Sequence, residues 1–65
     1  MEGYIKYERF CIKIKEDKIQ TVFDDLVTRG YDIVYYNERT LSQEPYEPYE
    51  ILLTIVGGKR QNRIL

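Results

Sequence analysis

Residues 17–30 read DKIQTVFDDLVTRG, and this stretch decides the fold. Ile19, Val22, Phe23, Leu26 and Val27 recur at i, i+3, i+4, i+7 and i+8, which places all five on one stripe of a helix. Asp17 followed by Gln20 has the spacing of a capping box, with Asp in the Ser/Thr role. Gly30 stands just past the last periodic residue, where a left-handed C-cap favours a residue without a side chain. Acidic Glu16 and Asp17 at the start and basic Arg29 at the end both suit the helix dipole. Together these cues predict a helix over Asp17–Arg29.

Working outward, Phe10, Ile12 and Ile14 alternate with Cys11, Lys13 and Lys15, the period of a half-buried strand. Tyr4–Arg9 extends it with a less regular alternation. On the other side of the helix, Tyr31–Tyr36 is β-branched and aromatic, hence a second strand. A third is expected over Tyr49–Val56, stopped by Gly57 and Gly58 and apolar on both faces in its middle. The expected fold class is α+β: a single β-α-β-β unit with one helix packed on one face of a three-stranded sheet. A right-handed crossover makes the first two strands parallel. The most apolar strand, the third, inserts between them and runs antiparallel to both, giving the order 1-3-2. The domain spans residues 1–58, and 59–65 is a basic C-terminal tail. The expected core joins the helical stripe to Phe10, Ile12, Ile14, Ile33, Tyr35, Ile51, Leu53 and Ile55.

Composition sets the limits. With 65 residues, 43% hydrophobic and 32% charged, the chain suits one small globular domain rather than a disordered segment. A domain this small buries only about 60% of its unfolded surface, so a partner subunit is the expected additional source of stability. The single Cys excludes an intrachain disulfide, and the lack of His removes the commonest metal ligand and general base. No apolar run approaches the ~20 residues of a membrane span. The start MEGYIKYER does not read as a secretory signal, so a reducing cytoplasm is the expected compartment. The net charge of −1 conceals a pattern of +2 over residues 1–15, −6 over 16–50 and +3 over 51–65. Solubility accounts for it; head-to-tail contact between chains is the sharper alternative.

Catalysis draws little support. Asp24 and Asp25 are adjacent on the helix and diverge by about 100°. Gly57-Gly58-Lys59 lacks the upstream glycine and the following Ser or Thr of a phosphate loop. Cys11 has basic neighbours, but it reads more simply as a small strand residue. Neither an enzyme nor a cofactor or metal is expected. The seven tyrosines are more informative. Tyr31, Tyr35 and Tyr49 are expected to face the helix, whereas Tyr7 and Tyr36, with Ile5, Val34, Leu52 and Val56, are expected on the uncovered face. Contiguous apolar area of that kind marks an interaction site. In the long connection, Pro45-Tyr46-Glu47 repeats as Pro48-Tyr49-Glu50, a stiff segment in which Tyr46 and Glu47 are candidate contacts; a solubilised connector is the plainer reading.

Nucleic acid is disfavoured as a partner by the pI of about 5.3 and by a central strand whose outer face offers no aromatic residue. Its remaining route is the tail, through Lys59, Arg60 and Arg63. The expected function is a non-enzymatic interaction module that self-associates, as a homodimer, through the open face or a strand edge, with an unidentified protein as a further partner. The βαββ order and helical stripe resemble half of a ferredoxin-like unit, a frame shared by many functions. The length and the Ile/Lys/Glu/Tyr-rich wording also resemble small uncharacterised prophage proteins of Gram-positive bacteria, a likeness that implies no site residues.

Overall fold

The computed structural model describes residues 3–41 and 49–62. Strand β1 (Gly3–Lys15) leads through a short 3-10 helix (Glu16–Lys18) into helix α1 (Ile19–Thr28), followed by β2 (Asp32–Thr40) and β3 (Glu50–Asn62). The sheet order is β1-β3-β2, with β3 antiparallel to both neighbours, as the pattern of apolar runs predicts. The helix packs on one face.

The helix ends as its sequence dictates. Gly30 takes φ +97°, its N–H donates to the Val27 carbonyl at 3.0 Å, and the Tyr31 N–H donates to the Leu26 carbonyl at 3.0 Å. That pair of bonds is a Schellman motif. The start differs from the expected capping box. Asp17 lies inside the 3-10 helix, no side chain caps either helical segment, and the Gln20 amide donates instead to Asp24 Oδ1 at 3.0 Å.

The core is smaller than the thirteen side chains expected. Leu26, Ile51, Leu53 and Ile55 are buried, with Phe10, Ile14, Ile19, Val22, Phe23, Tyr31, Ile33 and Tyr49 partly buried around them. Length explains the shortfall. A ten-residue helix spans about 15 Å, whereas a thirteen-residue strand spans about 44 Å, so α1 covers only the middle of the ribbon. Val27, counted on the apolar stripe, is 59% exposed; one residue beyond Leu26, it is turned about 100° around the helix, away from the sheet.

Two further expectations are corrected. First, β2 contains a bulge. Ile33 pairs with Gly57 but Tyr35 pairs with Val56, so Val34 is an extra residue and every side chain after it changes face. Tyr36, expected on the open face, therefore lies on the helix side, its ring edge-on to Phe23 with centroids 5.3 Å apart. Tyr35, expected in the core, lies on the open face and is 56% exposed. Second, Gly57 and Gly58 do not end β3, which continues to Asn62. They are places of close approach. A Cβ on Gly57 would sit 3.2 Å from the Tyr31 side chain, and one on Gly58 would sit 3.0 Å from both Ile5 and Tyr7. Rings and methyls lie across the strand where the glycines leave room.

Candidate functional site

Alternation and register define the sheet face that α1 leaves bare. From β1 come Ile5, Tyr7, Arg9, Cys11, Lys13 and Lys15; from β3, Glu50, Leu52, Thr54, Val56, Gly58 and Arg60; from β2, Asp32, Tyr35, Asn37 and Arg39. Paired across the sheet, they form rows: Arg9–Val56–Tyr35, then Cys11–Thr54–Asn37, then Lys13–Leu52–Arg39. Leu52, Thr54 and Val56 are half-buried although no helix covers them. The stems of the long side chains beside them exclude water while their charged heads reach outward.

Five cations (Arg9, Lys13, Lys15, Arg39 and Arg60) stand on this face against two carboxylates, Asp32 and Glu50. Lys15 is directly opposite Glu50. Among the described residues the one ion pair lies elsewhere, on the helix, where Arg29 Nε meets Asp25 Oδ2 at 3.0 Å. The rest of the described surface carries six carboxylates, Glu8, Glu16, Asp17, Asp24, Asp25 and Glu38, against four cations, Lys6, Lys18, Arg29 and Lys59. The described residues thus separate net charge by face, five cations against two carboxylates on the open face and four against six elsewhere, whereas the linear sequence shows it only by segment.

Of the expected interaction residues, Tyr7, Leu52 and Val56 share the open face, and Val34 sits in the bulge, 56% exposed. Tyr36 is on the other side, and Tyr46 and Glu47 lie outside the described residues. The expected basic tail is not one surface. Lys59 is on the helix side with Nζ 5.3 Å from the Tyr31 ring centroid, Arg60 is on the open face opposite Ile5, and Arg63 is outside the described residues. Sequence reasoning missed Arg9, Tyr35 and Arg39 as neighbours on one surface. The alternation of Arg9, Lys13 and Lys15 with apolar residues signalled the β1 edge, but nothing in the chain reveals the bulge that turns Tyr35 and Arg39 to join it.

On the helix side a groove of about 590 Å³ runs between α1 and β1, floored by Phe10, Ile12, Val22, Leu26 and Tyr31. Tyr31 organises one end. Its hydroxyl donates to Glu8 Oε1 at 2.9 Å, and its ring meets Phe10 edge-on with centroids 5.3 Å apart. The hydrogen bond to the Glu8 carboxylate, reinforced by desolvation, raises the phenol pKa above its ordinary value. Among the described residues the polar side chains lining the groove are Thr21, Asp25, Arg29, Tyr31 and Lys59, with Asp25 held by Arg29. Cys11, exposed on the other face, has its Sγ 3.8 Å from Thr54 Oγ1. Among the described residues no three His, Cys, Asp or Glu side chains converge as metal ligands, and no helix is long and apolar enough to cross a membrane. No protein-family model, curated protein or solved structure matches this chain.

Proposed function

We propose that this protein is a non-enzymatic interaction module that self-associates along the outer edge of β1. The observation that carries this reading is the length of that edge. Strand β1 runs for thirteen residues with β3 on one side and, among the described residues, no strand on the other, and its first residues extend beyond β2, which begins opposite Gly58. Gly3–Lys6 and Lys59–Asn62 thus form a two-stranded overhang, an arrangement of marginal stability in isolation. It exposes Tyr4 and Ile5, with Tyr7 next to it, and an outer edge whose backbone groups pair with no described strand, which another strand could satisfy.

A second copy fits this edge better than it fits the open face. Stacking two open faces would oppose cation against cation. Pairing two β1 strands antiparallel about a two-fold axis at Tyr7 instead brings Lys6 opposite Glu8 of the second copy, twice, and Tyr7 opposite Tyr7. Such an isologous contact joins two sheets into one of six strands.

Sedimentation equilibrium tests the reading. The expected mass is twice 7.9 kDa. Tyr7→Glu, which would set two carboxylates face to face at the axis, should return it to the single-chain value with the helical circular dichroism retained. A wild-type chain that sediments as a monomer at about 100 μM, a concentration well above the micromolar range of ordinary specific association, overturns the reading.

A further inference from the structure

We propose that the open sheet face is a binding surface for single-stranded nucleic acid. The proposal rests on face geometry and does not require the self-association described above. Leu52, Thr54 and Val56 form a half-buried floor, flanked on β1 by Arg9, Lys13 and Lys15 and on β2 by Tyr35, Asn37 and Arg39. The flanking strands are about 10 Å apart, wide enough to seat one extended polymer strand along the floor and too narrow and flat for a duplex groove to be read. Cations on β1 repeat every two or four residues, about 7 or 14 Å, which lets them follow successive phosphates of an extended single strand.

The aromatic component is what selects nucleic acid over an acidic polypeptide. Tyr35 is 56% exposed, lies in the row of Arg9 and Val56, and makes no ring contact with another aromatic among the described residues. An exposed ring on the same face as the guanidinium groups of Arg9, across the sheet, and Arg39, four residues along β2, suits a ligand that presents flat bases and phosphates in alternation. The Asn37 amide and the Thr54 hydroxyl, in the next row, add both donors and acceptors at the height of a base edge. An acidic peptide would satisfy the cations but leave the ring without a counterpart. The overall charge of −1 does not oppose this, because six of the eight described carboxylates lie off this face and binding responds to the local field.

Fluorescence anisotropy of a labelled oligo-dT, titrated with the full chain, provides the test. Four cations with no carboxylate opposite them in the described strand register (Arg9, Lys13, Arg39 and Arg60) give an expected log–log salt slope of about −3, so raising salt from about 50 to about 200 mM should weaken binding about 50-fold. Tyr35→Ala should weaken it about tenfold through lost stacking. Arg39→Ala should reduce the slope by about 0.7, and Lys18→Ala, on the helical side, should leave both affinity and slope unchanged. All of these side chains are at the surface, so each variant should retain the wild-type circular dichroism. Absence of binding at about 50 mM salt overturns the proposal, as does an equal loss in Lys18→Ala. Binding that ignores Tyr35→Ala and is matched by polyglutamate also overturns it and assigns the face to an acidic polypeptide.

Discussion

Gly30 shows how one position can fix the geometry of its neighbours. Its φ of +97° is where the helix reverses, and it sets Tyr31 down over Gly57 with its N–H bonded to Leu26. Gly30→Ala forces a side chain into left-handed backbone and should cost about 1–2 kcal/mol in urea unfolding. Tyr31 couples this turn to β1 through Glu8. Because the folded phenol pKa lies above the ordinary value of about 10, the folded state holds that proton more tightly than the unfolded chain does. The associated stability is fully present below the unfolded pKa and is lost as pH rises through the folded one. Comparison of wild type with Tyr31→Phe should therefore show an advantage for wild type at neutral pH that shrinks in alkaline solution. An advantage that grows with pH would contradict the assignment.

Among the elements, β3 holds the structure. It pairs on both sides, and its helix-facing residues Ile51, Leu53 and Ile55 make up, with Leu26, the buried apolar core among the described residues. Leu53→Ala should cost about 2–5 kcal/mol, a large share of what so small a domain has, and should leave the chain largely unfolded at room temperature. The β3 assignment was legible because alternate positions through YEILLTIV are apolar on both faces. The phase of β2 was not. Ile33, Val34, Tyr35 and Tyr36 are all apolar or aromatic, so their alternation specifies no face, and a one-residue bulge reverses every side chain that follows. Strand length was also hidden, since glycine reads as a strand breaker unless the ring that fills its space is known.

At the scale of the whole molecule, elongation is the dominant property. The radius of gyration is 14.9 Å and the long axis 55 Å, against about 11 Å for the radius of a compact domain of this length. Among the described residues, one short helix on a long ribbon leaves both outer strand edges and one face of the sheet uncovered. If β1 edges pair, part of the stability is intermolecular, and the melting temperature should rise with protein concentration. A melting temperature independent of concentration over a hundredfold range, about 2.7 kcal/mol in mass-action terms, would contradict edge pairing. Under the two proposals the surfaces would have separate work: the edge would join copies, and the basic face, continued across the joined sheet, would remain open to an anionic polymer.

The amino-acid sequence by itself determined the helix, the order of the elements and the central place of β3, because hydrophobic periodicity is a local property that burial reads directly. Only the tertiary structure decided which residues share a surface. A bulge in β2 and two glycines covered by rings in β3 set the phase and length of the strands, and these depend on contacts between residues far apart in the chain. Through them Arg9, Tyr35, Arg39 and Arg60, dispersed over 52 positions, come to stand on one face.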